Sequence, residues 1–233
     1  MNSGNIGFVL LCAAFVFVMT PGLAMFYGGL VRKKNVVNTM MTSIFIIGIG
    51  IVMWVLFGYS LSFAPSGNAF IGDFRWLGLE GVSLTEGYTD GASIPNMVFS
   101  AFQMMFAVIT PALITGAVAG RMKFKSIFVF TIFWSLIVYY PLAHMVWGQG
   151  GLLGADGIGA LDFAGGDVVH ISSGVSALVL CILLGSVTIM NIQFTEFTIS
   201  RQLYSVRRSL CSVGSALMRV LHLPPTVLRL THL

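Results

Sequence analysis

Charge is what this sequence lacks most. Asp, Glu, Lys and Arg together make up 9% of its 233 residues, against about 25% in an ordinary soluble domain. So few charges cannot coat a water-facing surface when 57% of residues are hydrophobic and mean hydropathy is +0.93. That excludes a soluble enzyme or binding module, and lipid must be most of the solvent. Cysteine is scarce too. Cys12, Cys181 and Cys211 are odd in number, and Cys12 and Cys181 lie in apolar runs. This excludes a disulfide framework and reads as small buried hydrophobes. Walker A loops, HExxH helices and Cys/His ligand spacings are all missing, so no metal and no cofactor is expected and nucleotide use has no support. The opening MNSGNIGF carries no basic stretch ahead of its apolar run, so the first run is expected to be a mature membrane helix and not a cleaved signal peptide.

What the chain does have is long apolar runs. A membrane helix needs about 20 mostly apolar residues. Five runs reach that length, at about 6–30, 37–63, 93–119, 126–147 and 163–185. The expected fold class is an all-α integral membrane protein with about five transmembrane helices. Small residues such as Gly28, Gly29, Gly48, Gly50, Gly116, Ala117, Gly165 and Gly166 allow close helix approach in lipid and predict a tight bundle. Pro21, Pro111 and Pro141 lie within or near span ends, where they either kink helices or mark boundaries.

The connectors set the orientation. Arg32, Lys33 and Lys34 follow the first span, and Arg121, Lys123 and Lys125 follow the third. The connector after the second span carries Asp73, Glu80, Glu86 and Asp90 against Arg75, and the one after the fourth carries Asp156 and no base. Short basic loops stay in the cytoplasm, so the N-terminus is expected outside and the end of the fifth span inside. The formal net charge of +4 mostly reports those loops, and nucleic acid is not an expected partner. Membrane lipid is. From about Ser186 no apolar run of spanning length follows, and Arg201, Arg207, Arg208, Arg219 and Arg229 interrupt the segment. The chain therefore divides into a membrane domain, 1–185, and a tail, 186–233.

Ionisable groups at membrane depth are expensive, roughly 2.5–3.5 kcal/mol at a helix centre on insertion scales. Here they are Asp162 and Asp167 at the start of the fifth span, His170 about one turn deeper, and His144 three residues before Trp147. Spacings of three and eight residues place Asp167, Asp162 and His170 on roughly one helix face. His170 is either a neutral imidazole bonded to a neighbouring helix or a pore-lining group that handles a proton. Asp162 suits a helix cap, which does not exclude a pore role, and Asp167 is expected to be exposed. His144 and Trp147 read as interface residues. By spacing alone Phe106 is a core residue, although aromatic faces attract cations without offering charge. An intramembrane enzyme built on Asp162 and His170 lacks a nucleophile, since Ser172 and Ser173 beside a His on one helix form no triad.

Four strings then take the reading further: MTPGLAMFYGGLVRKKNVV at 19–37, FQMMFAVITPALITGAVAGRMKF at 102–124, PLAHMVWGQGG at 141–151 and DFAGGDVVHISSGVSAL at 162–178. In this order they resemble the Amt/Mep/Rh ammonium transporters, from about Asn5 to Gly185 and no further. The resemblance implies a homotrimer in the cell membrane, each subunit holding eleven helices with its own pore. Ten of those helices form two inverted five-helix halves, and this chain matches the first. It further implies a substrate site at the outer mouth, where Trp147 contacts ammonium through its ring face, Phe106 is one of two stacked gating rings, and Asp162 is a structural or electrostatic acid. His170 is then one of two paired pore histidines, which makes it the proton relay. No catalytic residue is implied. The second half, with the other histidine, the second ring and the tail that meets a PII-type regulator, is not matched. The function expected is ammonium and ammonia transport, incomplete in this chain; the alternative is a non-transporting fragment or a dominant-negative subunit. The break at Gly185 also predicts that the tail is translated out of frame: Met218, Arg219 and Val220 permit a shifted Asn-Ala-Gly, a string the family carries near its sixth span.

Overall fold

In a computed structural model, which describes residues 1–65, 68–154 and 157–185, five helices are long and apolar enough to cross a membrane. They are α1 (Ser3–Leu30), α2 (Lys33–Phe63), α3 (Asn96–Val118), α4 (Phe124–Trp147) and α5 (Gly166–Leu183). Each coincides with one of the apolar runs to within a few residues, and no strand occurs among the described residues. Asp156 and everything from Ser186 onward, including the expected out-of-frame tail, lie outside the described residues.

The helices alternate in direction, as contacts between their ends show. Asn2, ahead of α1, donates its amide to Ser93, ahead of α3. At the opposite end Tyr27 of α1 donates to the Leu113 carbonyl of α3, and Arg121, after α3, reaches the Gly185 carbonyl after α5. All the described Lys residues and Arg32 and Arg121 gather at this second, basic end.

α3 occupies the middle, and its sequence requires that. Its apolar stretch is 61% buried, against 22% for α5, and it packs on α1, α2 and α5. It also carries Asn96, Ser100, Gln103, Thr110 and Thr115, all buried. Polar groups facing hydrocarbon without a partner are costly, so a helix with this many must be wrapped by protein. Its neighbours supply partners: Tyr59 donates to Asn96, Trp54 Nε1 to Ser100 Oγ at 3.4 Å, and Ser43 pairs with Thr115 at 3.3 Å. Glycines set the closest approaches. A Cβ on Gly116 would sit 2.5 Å from the Tyr27 ring, and one on Gly58 2.7 Å from the Tyr140 ring.

Both α2 and α4 contain one π-helical turn, at Trp54–Gly58 and Ser135–Tyr139. The turn in α4 precedes Pro141, which has no N–H to give and whose ring would press on the carbonyl four residues back. Widening the helix just before it, with the Tyr140 amide bonded to the Ser135 carbonyl, lets α4 continue unbroken through the proline. Pro21 and Pro111 likewise lie inside continuous helices.

The non-basic end is covered by residues 68–95. Gly72 donates to the Leu61 carbonyl at 2.7 Å and Trp76 to Ser60 Oγ at 2.9 Å. The Trp76 ring stacks on Tyr59, centroids 5.4 Å apart, and Tyr88 stacks on Phe99 at 4.9 Å. Burial pushes the Tyr88 hydroxyl well above the ordinary phenol range, although the Gln149 amide that donates to it pulls the other way. It therefore stays protonated.

Candidate functional site

The four candidate residues fall on three helices and one loop. Trp147 is the last residue of α4, half-buried, with its indole N–H 3.2 Å from the Asp162 carbonyl oxygen. That bond ties the end of α4 to the approach of α5. Indole orientation is thus fixed by backbone, while the ring keeps part of its surface open.

Asp162 is not on a helix face. Residues 162–165 form a loop, so the spacing of eight from His170 does not place the two on one face, as the helical reading expected. Instead Asp162 is 4% exposed and its carboxylate caps α5. Oδ1 accepts the Gly166 amide at 2.7 Å, and Oδ2 accepts those of Asp167 and Val168 at 2.9 and 3.0 Å. A negative group suits the positive end of the helix dipole. Gly165 makes the turn possible. It holds a φ of +75°, and an added Cβ would lie 2.8 Å from Val169. Asp167, expected to be exposed, is half-buried, and its amide is drawn into this cap.

His170 lies four residues beyond Gly166, within the π-helical turn Gly166–Ile171. Its side chain is exposed, and its ring has no hydrogen bond among the described residues. It opens the exposed apolar face of α5, which continues through Ile171, Val175, Leu178, Val179, Ile182 and Leu183. Phe106 lies near the middle of α3, half-buried, edge-on to Phe102 with centroids 5.1 Å apart. Periodicity assigned it to the core, yet it keeps part of its ring uncovered. The structure thus brings Trp147 and Asp162 into direct contact; Phe106 and His170 are placed separately, each on an incompletely covered surface.

His144 departs furthest from expectation. It is not an interface residue but fully buried, with both ring nitrogens against backbone carbonyls, Ser62 O at 3.1 Å and Asn68 O at 2.8 Å. The glycine-rich stretch that follows, Gly148, Gly150, Gly151 and Gly154, was the available signal. Glycines allow backbone to close over a side chain, and here a Cβ on Gly148 would lie 2.7 Å from His144 Nδ1.

Comparisons with known proteins agree with one another. The Ammonium Transporter Family profile matches residues 7–201. An ammonium transporter of Bacillus subtilis is 54% identical across 79% of this chain and 45% of its own length. A putative ammonium transporter of Methanothermobacter thermautotrophicus is 45% identical over the same shares. Among solved structures, Candida albicans Mep2 superposes with a TM-score of 0.80 at 28% identity, covering 93% of this chain and 48% of Mep2. Saccharomyces cerevisiae Mep2 gives 0.76 at 31%, covering 90% and 47%. The chain spans about half the length of the curated relatives it matches.

Proposed function

Because the chain belongs to the ammonium transporter family, we propose that it serves ammonium transport across a cell membrane and contributes one five-helix half of a conduction path. The observation that carries this reading is the Trp147–Asp162 junction at the non-basic end, with His170 a turn deeper on an exposed face. In this reading the non-basic end and the N-terminus face outside, and the basic loops face the cytoplasm.

The steps follow from the physics of a small cation. The Trp147 ring face holds ammonium by cation–π attraction, with the nearby Asp162 carboxylate supplying negative potential from its cap. Taking an ion of that size into a low-dielectric medium costs an idealised ~20 kcal/mol. The cation therefore gives up a proton at the mouth, and neutral ammonia passes Phe106 and follows the apolar path. Neutral imidazole has one donor and one acceptor, so His170 carries the proton separately through a hydrogen-bonded partner on the other half. Potassium has no proton to give and is rejected. No group here performs covalent chemistry. The assembled protein is read as a homotrimer, and contact with a PII-type regulator belongs to the part of the relatives that this chain does not match.

Half-length coverage and the uncovered apolar face of α5 favour a second reading, a non-transporting fragment or a dominant-negative subunit. Methylammonium uptake in a strain without transporters separates the two. The chain is tested alone and joined to the second half of the Bacillus relative. Failure of the joined protein to rescue uptake counts against the transport reading, and robust uptake by the chain alone defeats the second.

A further inference from the structure

We propose that Ser172 is a positioning residue for His170: its hydroxyl gives the Val168 carbonyl the hydrogen bond that the wide turn Gly166–Ile171 withholds, and so holds the turn from which His170 projects. In a regular helix each amide bonds the carbonyl four residues back. The amides of this turn go elsewhere. The Gly165 carbonyl accepts two of them, from Val169 and His170, at 3.0 and 2.9 Å. The Ser172 amide bonds the Asp167 and Val169 carbonyls and so passes over Val168, four residues back. A buried carbonyl deprived of its donor is costly, and Val168 is 0% exposed. The Ser172 hydroxyl donates to that carbonyl.

Hydroxyls that bond back along a helix are common. Thr42, Thr131 and Ser173 do so here, to the carbonyls of Asn38, Ile127 and Val169. Thr42 and Thr131 lie within regular α-helix, where the hydroxyl adds to an amide bond. The Val169 carbonyl that Ser173 reaches also accepts the Ser172 amide. Val168 differs because its carbonyl has lost the amide that a regular helix would give it, and the hydroxyl of the same residue stands in.

His170 is exposed and Ser172, two residues on, is buried. The hydroxyl therefore works from inside the bundle on the turn that presents the imidazole outside. Ser172 is itself tied to α4: its carbonyl accepts Ser176 Oγ at 2.7 Å, and Ser176 Oγ accepts Trp134 Nε1 at 2.8 Å. The wide turn is thus held at its start by the Asp162 carboxylate and at its end by Ser172. A regular turn in its place would rotate the residues ahead of it, relative to the body of α5, by up to one residue's step of roughly 100°. That would carry His170 off the face where it stands. The bond does not depend on what the protein carries; its effect on transport rests on the ammonium reading above.

Solid-state NMR of the chain in lipid bilayers tests the bond. Carbonyl-13C and amide-15N valine mark two Val–Val junctions in this sequence, 36–37 and 168–169, and Val37→Ile removes the first. The Val168 carbonyl resonance is expected to move upfield in Ser172→Ala, as a carbonyl does on losing a donor, and to keep its place in Ser173→Ala. A resonance unmoved in Ser172→Ala, or moved equally by Ser173→Ala, overturns the proposal. Methylammonium uptake by the joined protein tests the consequence. Ser172→Ala is expected to lower maximal uptake about tenfold, the worth of one buried hydrogen bond, with KM unchanged because Trp147 is untouched; Ser172→Thr, which keeps the hydroxyl, is expected to recover it. Full maximal uptake in Ser172→Ala overturns the positioning role. A joined protein that is silent without any substitution instead defeats the transport reading, and the Val168 resonance still decides the bond.

Discussion

Removing the Asp162 carboxylate distinguishes a structural acid from one that binds the cation. In Asp162→Ala the amides of Gly166, Asp167 and Val168 lose their acceptor together. Loss of a helix cap costs about 0.5–2 kcal/mol. Loss of a charge at the helix end adds about 0.3–1 kcal/mol, and up to ~2 where it is partly buried. With the residue 4% exposed, the upper parts of both ranges apply, giving about 2–4 kcal/mol in total. Asp162→Asn keeps one oxygen of the same shape while its NH2 group faces the remaining amide, so about 1–2 kcal/mol is expected. Unfolding in mixed detergent micelles, followed by circular dichroism, should rank the proteins wild type, Asn, Ala. Methylammonium uptake by the proteins joined to a second half provides the other axis. An Asp162→Ala protein within about 0.5 kcal/mol of wild type, the range of an inconsequential surface change, would refute the capping argument. If it also lost uptake, the carboxylate would have to act on the cation directly.

Other substitutions probe the remaining parts. His170→Ala in the joined protein is expected to abolish most uptake with little change in unfolding, because its exposed ring makes no hydrogen bond among the described residues; wild-type uptake would remove it from the path. Trp147→Leu should weaken apparent affinity by about 0.5–2 kcal/mol, the worth of one cation–π contact, and an unchanged affinity in concentration-dependent uptake would leave Trp147 as an anchor only. Gly58→Ala drives a methyl to within 2.7 Å of the Tyr140 ring and should cost about 1–3 kcal/mol through overpacking, with partial recovery on adding Tyr140→Leu in the same unfolding assay.

The spans were legible because hydrocarbon demands long apolar runs and little else satisfies that demand. The paired basic ends were legible because Arg32, Lys33 and Lys34 recur in kind at Arg121, Lys123 and Lys125. Which helix sits in the middle was visible only in part. The polar residues of α3 hinted at it, but partners such as Tyr59 and Trp54 come from far along the chain. Asp162 was read as a cap and also as a member of a helix face. Gly165 decides between them, since its left-handed backbone ends the loop before the helix can begin. His144 was misjudged because hydropathy sees a histidine near a span end and expects water, whereas Ser62 and Asn68 approach it from more than seventy positions away.

The π-helical turns have a consequence for how such sequences diverge. A regular helix advances roughly 100° per residue, and the wide turn at Ser135–Tyr139 takes up one extra residue without passing that rotation on to the rest of α4. Deleting one residue there would leave a helix of nearly the same length and apolarity. It would also leave His144 on its two carbonyls and the Trp147 indole on Asp162, whereas the same deletion between Tyr140 and His144 would swing both away. A single-residue gap, silent to any measure of membrane-spanning character, is therefore absorbed inside the wide turn but disrupts the Trp147–Asp162 junction when it falls a few residues later. The wide turn at Trp54–Gly58 in α2 gives the residues that follow it, Ser62 among them, the same tolerance.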